Sequence, residues 1–318
     1  MLAVLDFMGY SAYFATTLLL PRVTCPNSVV TLSEKRNMRS EFLIKTDSAC
    51  FVPDETAFKA ANYTQKHRST SAKSGDRFAS NMSYAEKIAQ TQKLLDRAIA
   101  YAWHTVKSDR RPPKLTRTRW VWQLAGSYHM THSYPRLIKE ASQRFAASGH
   151  KSLAQWALQK AVEETGHDRL ALLDIQSMGY KAEAVVEALI PPSATVLGNY
   201  LAQSVHTPDP IGCIGYSYTL ERIATGIKEK HIQSVEALLP SGTSATRCLR
   251  VHSSIGADVE HVKETVEMVA GLAHDECVRV AIACYETALL YFNPLQADYI
   301  SDEELQLILK PLESHTYV

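Results

Sequence analysis

The chain has 318 residues, 46% of them apolar, enough to bury the core of one or two domains. Its 34 basic and 33 acidic residues leave a net charge of +1 and form no basic block or aromatic-interleaved stripe, which argues against a nucleic-acid surface. Six cysteines (Cys25, Cys50, Cys213, Cys248, Cys277, Cys284) show no CxxC spacing; the last four lie in apolar helical patterns, so reduced, buried thiols in a cytoplasmic protein are expected.

Residues 2–20, LAVLDFMGYSAYFATTLLL, are nearly uncharged, but Asp6 interrupts them and no Lys or Arg precedes them. A signal peptide needs a basic leader, and a spanning helix needs about twenty apolar residues free of charge, so neither export nor a membrane span is expected. Residues 21–82 are rich in Ser, Thr, Asn and Lys and lack periodicity. Residues 1–82 together read as a poorly ordered N-terminal extension, and residues 83–318 as the folded domain.

At Ser83 the pattern changes. Ser83 and Glu86 form a capping box, and an amphipathic helix follows to about Lys107, with Ile88, Leu94, Leu95, Ile99 and Trp103 among its apolar positions. A second helical stretch runs from about Thr118 to Ala147, bent at Pro135. A Ser152…Gln155 box opens a third, which Gly179 ends. A short helix after Glu183 is closed by Pro191-Pro192. Long patterns then cover 210–239, 244–272 and 275–292, and a Ser301…Glu304 box starts a C-terminal helix. Strand signals are almost absent. The domain is expected to be all-α, with about seven to eight helices.

Three of these helices carry acids and histidines where an apolar face is due. Glu164 and His167 lie three apart and project from one face, the Glu-x-x-His element with which helical bundles hold iron or manganese. Alone, the pair equally describes a solvated surface pair; Glu163, about 100° away, is expected to be exposed. Glu221 sits in GYSYTLERIATG among apolar and small residues, where an unpaired carboxylate is costly; a metal or a buried salt bridge would neutralise it. Asp258 and His261 repeat the acid-x-x-His spacing. His252, nine residues before His261, falls on the opposite face of an unbroken helix. The stretch Ser253-Ser254-Ile255-Gly256 offers a place for a break that would turn His252 inward. Three carboxylates with two or three imidazoles and no thiolate suit iron or manganese rather than a structural zinc.

The segments EETGHDRLALLDIQSMG, GYSYTLERIATG and RVHSSIGADVEHV resemble the three core helices of the haem-oxygenase-like di-iron oxidases. The resemblance covers about residues 84–292, and the middle segment is also similar to the Tyr-x-Leu-Glu stretch of true haem oxygenases. It implies a haem-oxygenase-like helical bundle. It also implies two Fe(2+) ions per chain, with Glu164, His167, Glu221, Asp258 and His261 as ligands and Glu221 as the bridging, catalytic carboxylate. The family's remaining histidine would fall on Ser254; this chain offers His252 instead. The activity so implied is O2-dependent oxidation of a small carboxylate-bearing molecule of amino-acid or fatty-acid type. Expected partners are that substrate, an external electron donor and a second copy of the chain in a homodimer, with no nucleic acid and no membrane.

Alternatives are a haem-binding or cofactor-free enzyme of the same fold, with His104 as the haem ligand or Cys213 and Cys248 as thiol candidates, and a metal-binding bundle without turnover. Tyr128, His129, His132 and Tyr134 either pack around the Pro135 bend or wall a substrate pocket. Arg222, Arg247 and Arg250 are candidates to clamp a substrate carboxylate, or are surface and salt-bridge residues.

Overall fold

The structure is a computed structural model that describes residues 83–106 and 113–314. The expectation for residues 1–82 lies outside this range, as do Cys25 and Cys50. Within it, thirteen α-helices occur in the order α1 Tyr84–Thr105, α2 Arg117–His132, α3 Tyr134–Ala147, α4 Lys151–Glu163, α5 His167–Ser177, α6 Ala182–Ala188 and α7 Pro192–His206. They continue as α8 Gly212–Ala224, α9 Glu229–Glu236, α10 Arg247–Val251, α11 Asp258–Ala270, α12 His274–Phe292 and α13 Asp302–Leu309. No strand is present among the described residues, so the all-α expectation holds. No helix among them is long and apolar enough to cross a membrane.

The count exceeds the expected seven to eight because four of the long periodic stretches are each cut in two. The bend expected at Pro135 is a break at Ser133, with Pro135 in the first turn of α3, where its missing N–H costs nothing. The third stretch breaks at Glu164–Gly166, where Gly166 takes a left-handed φ of 90°. The 210–239 stretch breaks after Ala224, and the 244–272 stretch breaks between Val251 and Asp258. Pro191 and Pro192 also open α7, a helix that the sequence reading did not anticipate. The Ser83–Glu86 capping box is present, whereas α4 starts at Lys151 behind His150 and does not use the Ser152…Gln155 box.

The breaks share a cause. Apolar residues of α1, α3, α4, α7, α8, α11 and α12 form one core, around Phe145, Leu153, Tyr216 and Tyr218. Those of α2, α5, α6, α9, α10 and α13 form a second, around Leu124, Ile175, Val185 and Ile232. Each broken stretch passes from one core to the other: α2 to α3, α4 to α5, α8 to α9 and α10 to α11. A straight helix cannot point one apolar stripe at two separate cores, so the chain re-aims at the seam.

Helix α8, the carrier of Glu221, is fixed by α12. A Cβ on Gly215 would stand 2.5 Å from Val280 O, 2.6 Å from Ala283 Cβ and 2.8 Å from Cys284 N, so only glycine permits this crossing. Gly215→Ala should destabilise the protein by about 1–3 kcal/mol through overpacking, read as a lower urea midpoint at unchanged m-value. An unchanged midpoint would show that the two helices are not held at this distance.

Candidate metal centre

All six residues singled out in the sequence lie at the seam. Glu164 and His167 flank the α4–α5 break rather than sharing one regular helix. The break nevertheless brings them together, with His167 Nδ1 2.7 Å from Glu164 Oε2. Glu221 enters from the last turn of α8. His252 lies in the α10–α11 break, and Asp258 and His261 lie in the first turn of α11.

The distortion expected between residues 252 and 257 is present, and His252 points inward. Its Nδ1 lies 3.1 Å from Asp258 Oδ1, and its ring meets that of His167 edge-on at 5.0 Å between centroids. The turn is so tight that a Cβ on Gly256 would fall 1.8 Å from Val251 O. Here glycine is required by close approach to backbone. Ser254 donates its backbone N–H to Ile227 O, which ties this loop to the segment after α8.

Ligand-type atoms converge in two overlapping groups. One is Glu164, His167 and His252, the other Glu164, Glu221 and His261, and within each the atoms lie within 4.8 Å of one another. Glu164 belongs to both, whereas Glu221, the carboxylate that the resemblance implies as the bridge, belongs to one. His261 Nδ1 is 3.5 Å from Glu221 Oε1, 3.7 Å from Glu164 Oε1 and 3.9 Å from Asp258 Oδ1. Both oxygens of Glu221, Oδ2 of Asp258, Nε2 of His252 and Nδ1 of His261 are buried without a hydrogen-bond partner. Buried polar atoms are seldom left so, and an orphaned group costs about 1–3 kcal/mol, more when charged. An oxygen-and-imidazole set with unpartnered buried atoms in both groups fits divalent iron or manganese.

The electrostatics are those of a crowded site. Burial pushes the Glu221 carboxyl up, with the His261 contact and the Lys160 charge opposing and Asp258 adding to the rise. Burial also pushes Glu164 up, but the His167 hydrogen bond and the charges of His252, His167 and His261 outweigh it, so its pKa is net lowered. Burial pushes His252 down, yet the Asp258 hydrogen bond and the charges of Asp258, Glu164 and Glu221 prevail and raise it to about 9.

Two neighbours were not foreseen. Glu163, expected to be exposed, is half-buried, with Oε2 3.3 Å from His261 Nε2. The 100° offset from Glu164 assumed a regular helix through His167; α4 ends at Glu163, and the chain turns away after it. Lys160 is 1% exposed, with Nζ 3.4 Å from both Glu163 Oε2 and Glu221 Oε1. Its spacing three and four residues before Glu163 and Glu164 was the available signal.

A cavity of about 180 Å³ adjoins the cluster, lined at one end by Glu164, Glu221, His252 and Asp258. Elsewhere its wall is chiefly apolar, with Leu124, Met130, Tyr216, Leu220 and Ile227 among its residues, plus the neutral polar Gln123, Ser127, Thr131 and Ser217. Tyr134 lines it, as the pocket-wall reading expects, and shares a 2.6 Å hydrogen bond with Ser217. Burial and the Glu221 and Glu164 charges hold the Tyr134 phenol well above its usual pKa. His129 and His132 do not line it: His129 Nε2 meets Val186 O at 2.8 Å, and His132 meets Asp168 at 2.7 Å.

The three arginines proposed as a carboxylate clamp are committed elsewhere. Arg222 pairs with Asp96, Arg247 with Asp174, and Arg250 with Glu229 and Glu236. No Arg or Lys lines the cavity among the described residues. His104 is exposed and not part of the lining. Burial pushes the Cys213 and Cys248 thiols up, the latter to about 12, which disfavours a thiolate nucleophile at either.

No family model and no curated protein matches the chain. A solved structure similar to it is a domain of unknown function with a heme oxygenase-like fold from Shewanella denitrificans OS217. The two share 21% identity with a TM-score of 0.49, over 73% of this chain and 94% of that one.

The raised His252 pKa has a consequence for the metal-free protein. A histidine moved from 6.5 to about 9 contributes stability that is complete below 6.5 and is lost as pH rises through 9. The melting temperature of chelator-stripped protein should therefore fall across this interval, and His252→Gln should flatten the fall. A wild-type profile that rises or stays level would contradict the His252–Asp258 pairing.

Proposed function

We propose that the chain is an O2-dependent, non-haem di-iron oxidoreductase of the haem-oxygenase-like kind, acting on a small organic acid with an apolar body. One observation carries the reading: carboxylates and imidazoles from three separate segments form two overlapping ligand groups that share Glu164, and within them both oxygens of Glu221, Nε2 of His252 and Nδ1 of His261 are buried without a hydrogen-bond partner. A cluster of acids so deeply buried is expensive unless cations compensate it.

In this reading Glu164, His167 and His252 hold one ion, and Glu164, Glu221 and His261 hold the other, with Asp258 beside both histidines of the α10–α11 segment. Bound ferrous iron would supply the electrons and the Lewis acidity that O2 chemistry needs. The chain's own residues do the rest. The chiefly apolar wall formed by α2, α3 and α8 seats an apolar substrate body, while the acid–imidazole end faces the group to be oxidised. Gln123, Ser127 and Thr131 are spaced to present one polar ridge of α2 to a substrate. Tyr134, kept protonated and fixed by Ser217, is a hydrogen-bond donor at the cavity wall. The chiefly apolar lining suits a long hydrocarbon body, which favours the fatty-acid type over the amino-acid type.

Anaerobic loading of the full chain with Fe(II) should give close to two irons per chain by elemental analysis, and admission of O2 with medium-length alkanoic acids should consume O2. Glu221→Ala should lower the iron content to one or less. Tight zinc that does not exchange, or no metal after loading, would overturn the proposal, and two irons without O2 uptake would reduce it to a metal-binding bundle.

A further inference from the structure

Lys160 is the one fully buried cation at the seam among the described residues, and a di-metal site has no obvious use for it. Its ammonium lies 3.4 Å from Glu221 Oε1 and 3.4 Å from Glu163 Oε2, is 1% exposed, and makes no hydrogen bond. It stands on one side of the cluster only. The group Glu164, Glu221 and His261 contains its partner Glu221, whereas the group Glu164, His167 and His252 contains none of its partners. We infer that Lys160 makes the two metal positions unequal: the first ion enters at Glu164, His167 and His252, and the ammonium opposes a second at Glu164, Glu221 and His261.

The inference rests on the di-metal reading above and follows from charge. Glu163, Glu164, Glu221 and Asp258 bring four negative charges when ionised, and Lys160 cancels one. One divalent ion then leaves a single negative charge to attract the next, and two ions leave the site positive. Without Lys160 the same four carboxylates would be neutralised by two ions. The ammonium lies 3.4 Å from Glu221 Oε1, so a second ion held by that carboxylate must either displace it or tolerate a like charge a few ångströms away. In a buried site such repulsion is weakly screened. The protein would keep one ion firmly and take up the second only when divalent metal is plentiful, so that metal supply gates formation of the complete site.

The full chain, stripped by chelator and titrated anaerobically with Fe(II) against a chromophoric competitor, tests this, with Mn(II) as a second probe read by its free-ion paramagnetic signal. Wild type should bind in two steps separated by roughly tenfold or more, a conservative Coulomb expectation at an effective dielectric near ~20. Lys160→Met should tighten the second step by about tenfold while leaving the first nearly unchanged. Lys160→Gln, which can still donate a hydrogen bond to one of the carboxylates, should do the same, and Lys160→Arg should keep the wild-type gap. The melting temperature should rise more on adding the second metal equivalent in the Met and Gln variants than in wild type. Two equal affinities in wild type, or a second step unmoved by Met and Gln, would overturn the inference and leave the di-metal reading intact. If the Met and Gln variants do not fold, equal affinities in the wild-type isotherm still overturn the inference. No binding of either metal by wild type or variants would overturn both.

Discussion

Four carboxylates, three imidazoles and an ammonium meet at the seam between two apolar cores, and the rest of the architecture is arranged around tolerating them. Desolvating an ion costs on the order of several kcal/mol even after relaxation, so such a cluster survives only where opposite charges stand close. The histidines and Lys160 provide part of that compensation within the chain. The unpartnered oxygens of Glu221 and Asp258 mark what they leave undone.

The broken helices follow from the same seam. A continuous helix through Glu164 or through His252 would keep one apolar stripe aimed at one core and carry its polar residues past the cluster. Ending α4 at Glu163 and turning at Gly166 sends α5 to the second core while Glu164 and His167 remain in contact. Ending α10 at Val251 lets His252 fold back onto Asp258, which a regular helix would place about 240° away from it. Gly166 and Gly256 meet different demands at these two turns: the first a left-handed backbone, the second contact with Val251 O too close for any side chain. The candidate site is thus made of helix ends, where backbone direction can change, braced by closely packed helices, as at the Gly215 crossing of α8 and α12.

What the sequence made legible was periodicity and chemical type. The all-α class, the Ser83 cap, the inward turn of His252 and the convergence of Glu164, His167, Glu221, His252, Asp258 and His261 could be read from it, because each is a local pattern or a polar residue out of place. The helix breaks at Glu164–Gly166 and after Ala224 could not, since the apolar rhythm runs on through them; what changes is the partner core, a tertiary fact. For the same reason Glu163 was placed on the wrong face. Nothing local in the sequence marks Lys160 as buried, because its burial depends on Glu163 and Glu221, the latter 61 residues away. Helix α7 was missed because Pro191-Pro192 reads as an end as readily as a beginning.

The central claim is that the seam cluster is a metal centre built across two helix breaks. Anomalous scattering at the iron edge from crystals of Fe(II)-loaded protein tests it most directly. The account predicts anomalous peaks inside the cluster, the stronger among Glu164, His167 and His252 and the weaker among Glu164, Glu221 and His261. Iron peaks only at surface histidines, or a filled cluster whose buried carboxylates are paired among protein groups alone, would contradict it.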